Sequence, residues 1–263
     1  MAKFVPVNFS QHAGKAWRRP DNYEHAAAVA TVPLTGSEFG KAATAMPIAF
    51  VKQAGRYVPI AMMSPVVGRN LFIGPAFQWL GTYVPALLRA YPFGLARANK
   101  TDGERAILCI DEESSLVVDA DGTAEEFFDA DGKPSPATKA VLEFLIGINR
   151  NHVPTDLAVA ALADAGLIQP WPLKAADGQV ELDNEFFRVD ETALNSCDDE
   201  TFLRLRKSKA LPLAYMQLLS MGRIALFEQL IHIQQQLAPR QQRKISSLDE
   251  IFEKASNETL RFN

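Results

Sequence analysis

The stretch NLFIGPAFQWLGTYVPALLRAYPF, residues Asn70–Phe93, carries the reading that sets the fold class. Asn70–Gly74 is a short apolar run closed by Gly74-Pro75, the pattern of a buried strand ending in a turn. From Phe77 to Ala90 the residues Leu80, Tyr83, Val84, Leu87 and Leu88 recur at three and four, which predicts a helix. Pro85 should end or kink that helix, because its ring removes a backbone hydrogen bond. A strand followed at once by an aromatic-rich helix points to a mixed α and β protein. Arg89 stands beside Trp79, Tyr83 and Tyr91, where a guanidinium stacks on rings or grips a carboxylate or phosphate bidentately. The plainer alternative is a helix packed by its aromatics, with Arg89 reaching water at its C-terminus.

Working outward, Ala26–Leu34 is apolar enough for a first strand, and Thr35 with Glu38 three residues later fits a capping box for a short helix ending at Met46-Pro47. Ile48–Lys52 and Tyr57–Met63 flank a glycine-containing turn, as the arms of a hairpin do. Further strands are expected at Arg105–Ile110 and at Leu116–Val118. Asp119-Ala120-Asp121-Gly122 and Asp129-Ala130-Asp131-Gly132 repeat a turn tetrad; glycine comes too early for a calcium-binding EF-hand loop, so two Asp-Gly turns are expected. Pro134-Ser135-Pro136 punctuates the chain. Beyond it lie helices at Ala137–Arg150 and Pro154–Ala165, the second capped by Thr155 and stopped by Gly166. Leu167–Leu173 is an extended linker leading to a hairpin whose arms are Val180–Leu182 and Phe186–Val189 around Asp183-Asn184. A long helix runs from about Pro212 to Leu237. Its apolar stripe is wide enough to pack into a core, with dimerisation as the alternative. Ile245–Asn263 is an amphipathic tail suited to docking on its own body or on a protein partner.

The expectation is therefore an α+β fold: short antiparallel strands with helices in the N-terminal part (1–133), a mostly helical C-terminal part with one hairpin (134–239), and a tail (240–263), or one continuous domain. Hydrophobic residues at 48% and charged residues at 22% are values of a globular chain and argue against global disorder. A net charge of -4 gives no basic footprint for nucleic acid, and the Arg204–Lys209 cluster is offset by Asp198-Asp199-Glu200. The first residues lack a signal peptide's apolar region, and no apolar run approaches the ~18–20 residues of a membrane span. A soluble, cytoplasmic protein is expected, with Cys109 and Cys197 as reduced thiols.

His12, His25, His152 and His232 show no metal-ligand spacing, and no metal or cofactor is expected. Glycine-rich phosphate loops and the G-x-S-x-G elbow are absent. Asp111, at the end of an apolar strand and followed by Glu112-Glu113, is the most interesting carboxylate. One arrangement follows: Asn70, Asp111 and Arg89 converge on a small polar ligand in an aromatic pocket with Trp79, Tyr83 and Tyr91.

Met46-Pro47-Ile48-Ala49-Phe50, Tyr83-Val84-Pro85-Ala86, Arg89–Phe93 and Cys109-Ile110-Asp111 resemble the SapC family of bacterial proteins, over about Pro6 to about Leu237. The resemblance implies a link to a surface-layer locus and to neighbours such as TonB-dependent outer-membrane receptors and tryptophan-halogenase-like flavoproteins. It brings no catalytic residues. A peptide-transporter permease that shares the name would need several membrane spans, unlike this chain. Three function classes follow. One is a non-catalytic binding or accessory protein linked to surface-layer or receptor uptake systems. The others are an enzyme with an uncatalogued site near Asp111 and Arg89, and an interaction protein or homodimer using the long helix and the tail.

Overall fold

The computed structural model describes residues 3–100, 103–173 and 185–237. Its strands are β1 (Phe4–Pro6), β2 (Lys15–Trp17), β3 (Thr31–Pro33), β4 (Ile48–Gln53), β5 (Arg56–Met62), β6 (Phe93–Lys100), β7 (Gly103–Asp111), β8 (Val117–Asp119), β9 (Glu125–Glu126), β10 (Ile168–Pro170) and β11 (Phe186–Val189). Its helices are α1 (Phe9–His12), α2 (Phe39–Ala45), α3 (Ala86–Ala90), α4 (Pro136–Asn149), α5 (His152–Asp164), α6 (Glu191–Ser196), α7 (Asp199–Lys207) and α8 (Ala210–Ser220). The strands pair antiparallel in three sheets, ordered β10-β11-β4-β5-β3, β1-β7-β6 and β8-β2-β9. The α+β expectation holds.

The β4–β5 hairpin is the centre of the larger sheet. Gln53 pairs with Arg56 across a two-residue turn in which Ala54 (φ 47°) and Gly55 (φ 78°) are both left-handed. Such a turn twists in the same sense as the strands it joins. Ile48, Ala49, Phe50, Ile60, Ala61 and Met62 are buried, with α5 packed on β5, α8 on β4, and α2 on α8. Fully burying a side chain such as Phe50 contributes roughly 1.5–3 kcal/mol.

Helix α8 also stitches the sheet. Strand β11 pairs with β4 at Phe186–Val51 and Phe187–Phe50. Two residues further, Val189 N donates to Gln217 Oε1 (2.9 Å) and Gln217 Nε2 donates to Ile48 O (3.0 Å). Ile48 N in turn donates to Ser220 Oγ at 2.9 Å. The side chains of α8 thus satisfy strand groups that would otherwise be buried without partners.

Several expectations are corrected. Asn70–Gly74 is no strand but a looped segment with a single bridge between Ile73 and Trp79. The helix expected over Phe77–Ala90 is confined to Ala86–Ala90, with Pro85 at its N-cap. Proline fixes that start because the extended backbone before it cannot continue a helix. The first strand shrinks to Thr31–Pro33, preceded by a 3₁₀ turn at Glu24–Ala26. Thr155 does not cap α5, which starts three residues earlier; its hydroxyl bonds Asn151 O and accepts from Gly36 N at 2.8 Å. Leu167–Leu173 is more than a linker, since β10 within it pairs with Phe186–Val189. The expected arm Val180–Leu182 and the tail Ile245–Asn263 lie outside the described residues.

The long C-terminal helix is broken by a 3₁₀ segment at Met221–Ala225 before continuing through 226–237. Ala210–Leu237 is, by length (28 residues) and mean hydropathy (1.3), long and apolar enough to cross a membrane, a match the sequence reading did not anticipate. One face of it is committed to the core through Ala210, Leu211, Leu213, Ala214, Gln217 and Ser220.

Two buried clusters result among the described residues. The larger runs through Ala26–Ile73 and resumes from Ala158 to Leu230. The smaller joins Trp17 to Ala86, Ala90, Phe93, Leu108, Ile110, Phe127, Phe128, Leu145 and Ile148.

Candidate functional site

The segment 70–93 runs from the larger cluster to the smaller. Asn70 is buried and structural: its Nδ2 donates to Ala26 O (3.1 Å) and its Oδ1 accepts from Phe72 N (3.0 Å). Trp79 lies on the Phe72 ring at 5.4 Å, tilted 22°, and meets Tyr23 at 5.4 Å. Gly81 has to be glycine here, since a Cβ would sit 2.8 Å from Phe72 Cδ1 and 2.9 Å from Trp79 Nε1.

Glu38, buried just before α2, organises the next turn. Its Oε1 accepts from Tyr83 Oη (2.9 Å) and from Ala86 N (2.8 Å) at the start of α3. Its Oε2 accepts from Thr35 N and Oγ1, both at 3.3 Å, which is the reach-back half of the expected capping box. Burial, reinforced by Glu38, pushes the Tyr83 phenol up to about 12. Arg89 is fixed on the outer side of the same turn. Its Nε donates to Val84 O (3.0 Å), and its guanidinium lies 5.7 Å from the Tyr83 ring and 5.1 Å from that of Phe144 on α4.

Beyond the cis Tyr91-Pro92 peptide the residues belong to a second group. Asp111 is buried and accepts from Lys3 N (2.8 Å) and Tyr91 Oη (3.1 Å). The His25 ring stacks on Tyr91 at 4.1 Å and 6°, and its Nε2 donates to Leu88 O at 3.2 Å. Burial lowers the His25 pKa against the opposing pull of that carbonyl, and burial first of all raises that of Tyr91. A polar pocket of about 390 Å³ opens here, lined by His25, Tyr91, Asp21, Glu24 and Glu113.

On the opposite side of Pro20 lies a pocket of about 370 Å³ with another character. Arg89 and Arg19 are its cations, and Trp17, Tyr23, Phe93 and Phe144 its rings. Ala137, Ala140, Val141 and Phe144 give it one face of α4, at the i, i+3, i+4, i+7 spacing of a helix side. Among the described residues, no aspartate or glutamate lines it. Leu88 belongs to the larger cluster and Phe93 to the smaller, so the pocket sits on the seam between them. The SapC family profile matches residues 7–226, which contain every residue of this site. The chain belongs to the SapC family. No curated protein and no solved structure matches it.

Of the residues singled out in this SapC chain, Arg89 faces the seam pocket and Tyr83 supports Arg89 through its ring. Tyr91 faces the second, polar pocket, with Asp111 as its hydrogen-bond partner. Asn70 and Trp79 line neither and hold the looped segment together. The structure therefore divides the expected constellation into two groups on either side of Pro20. Sequence reasoning missed Arg19, Phe144 and the buried role of Glu38. The helical recurrence of Ala137, Ala140, Val141 and Phe144 was visible, but an apolar helix face is ordinarily core. Arg19 gave no signal beyond its neighbour Trp17.

Proposed function

We propose that this SapC-family chain is a non-catalytic binding or accessory protein that holds a small molecule in the seam pocket. The supporting observation is how its polar groups are spent. Asp111 and Glu38 each have both carboxyl oxygens engaged in internal hydrogen bonds, and Asn70 ties down backbone. Side chains so occupied fit structural duty better than proton transfer, which needs a group within reach of a substrate. Arg89, by contrast, is fixed in orientation and faces open space. That is the pattern of a recognition residue. Its proposed place is the cytoplasm, beside surface-layer or TonB-dependent uptake systems, as the family resemblance implies.

Native mass spectrometry of the purified protein, repeated after denaturation, tests the reading. A co-purifying mass that is lost on denaturation and absent from an Ala140→Phe variant is expected. A ligand that persists in that variant would move the site elsewhere.

A second reading has its own observation. Leu157 on α5 is 63% exposed and Leu219 on α8 is 67% exposed, as faces that meet a partner are. If the protein is an interaction module, deleting Ile245–Asn263 or replacing Leu219 with Glu lowers its assembly state in analytical ultracentrifugation. An unchanged state would remove that reading.

A further inference from the structure

We infer that the seam pocket takes a small organic carboxylate with a flat apolar body. This rests on the binding-protein reading and adds the ligand's chemistry.

The sign of the charge comes first. Arg19 and Arg89 both line the pocket, without any carboxylate among its lining residues. Arg89 is held by Val84 O and by the Tyr83 and Phe144 rings, contacts that orient the guanidinium, and it has no ion pair among the described residues. Neighbouring Arg18 has Asp121 at 3.8 Å, whereas Arg19 has no ion pair among the described residues. Ala137 and Ala140 sit in the first turns of α4, whose positive end adds potential of the same sign. Two forked cations at one mouth suit a planar oxyanion.

The rest of the wall sets the body. Leu88, Phe93, Val141 and Phe144 are apolar, and Ala90, Ala137 and Ala140 leave flat, open surface between them. A volume of about 370 Å³ lies at the small end of ligand pockets. Trp17, 3% exposed, forms part of this wall, and its Nε1 has no hydrogen-bond partner among the described residues.

The probes are benzoate and phenylacetate, each beside its uncharged amide, with inorganic phosphate as the headgroup control, titrated calorimetrically into the full chain. The acids are expected to bind about tenfold or more tightly than the amides, the discrimination that a charged hydrogen bond provides. Arg19→Gln, at an exposed and unpaired position, and Arg89→Gln should each erase most of that difference, bringing acid affinity down toward that of the amide. Ala140→Phe should abolish binding of both, and phosphate should not compete. Equal binding of acid and amide, still blocked by Ala140→Phe, would overturn the carboxylate assignment and leave the pocket reading standing. Phosphate competing as well as the acids would likewise overturn it. Absence of binding by every probe, with a native ligand indifferent to Ala140→Phe, would overturn both.

Discussion

Tyr83 and His25 are two side chains whose surroundings shift their titration, in opposite directions. The Tyr83 hydroxyl donates to buried Glu38, and its pKa rises to about 12 from an ordinary value of 10.0. Between those values the unfolded chain has released the proton and the folded one keeps it, so stability falls as pH rises through that window. Tyr83→Phe keeps the ring under Arg89 and removes both the bond and the slope. Urea unfolding should show a loss of about 1–2 kcal/mol at neutral pH that shrinks in the alkaline range. His25 works at the acid end. Burial lowers its pKa below 6.5, so on acidification the unfolded state gains a proton that the folded state resists. Stability is complete above 6.5, falls as pH drops toward the folded pKa, and then levels off. His25→Phe preserves the stack on Tyr91 and should flatten that part of the profile. A slope unchanged by the substitution would assign the acid sensitivity to other groups.

The β4–β5 hairpin shows what a turn demands of its residues. Ala54 at φ 47° carries a Cβ in the left-handed region, where an L-residue costs roughly 1–2 kcal/mol. Asparagine tolerates that conformation, and Asn-Gly is the favoured pair for this turn. Ala54→Asn should therefore raise stability by about 0.5–1 kcal/mol, read as a shift in urea midpoint at constant slope. A neutral or destabilising result would mean that the turn is not left-handed at both positions. This hairpin was legible in the sequence because its arms are local and its turn carries glycine. The same is true of α4, announced by Pro134-Ser135-Pro136, where the Ser135 hydroxyl accepts from Thr138 N. Residues 70–85 misled for a physical reason. Their apolar recurrence at three and four comes from a looped segment that buries Leu71 and Phe72 and packs Trp79 and Tyr83 against the core, and the tertiary contacts override the helical spacing. Strand β6 was invisible, since Phe93–Lys100 is held by pairing with β7 and β7's other edge is closed by β1 from the far N-terminus. Half of the candidate site was hidden likewise. Arg89 stood out beside its aromatics, while Arg19 and Phe144 reach it only through folding.

The molecule has two buried clusters, and the chain passes between them more than once. Glu38 ties one to the other. It sits among residues of the larger cluster, yet its Oε1 holds both Tyr83 and the first amide of α3, whose Ala86 and Ala90 belong to the smaller. Helix α3 is five residues long, too short to persist without an external partner for its N-terminus. Replacing Glu38 with Leu leaves Ala86 N, Thr35 N and the Tyr83 hydroxyl without their acceptor, at about 1–3 kcal/mol for each group that stays buried. The expected loss is therefore well above that of Tyr83→Phe, and it falls on the joint. In the native chain, amide protection in β4–β5 and in β6–β7 should vanish at a common urea concentration. In Glu38→Leu the β6–β7 amides should exchange first, with β4–β5 still protected by its own contacts to α5 and α8. If both sheets instead lose protection together in the variant, cooperativity resides in the apolar seam itself, in Leu88 and Phe93, and a ligand in the pocket between them would stabilise both sheets at once.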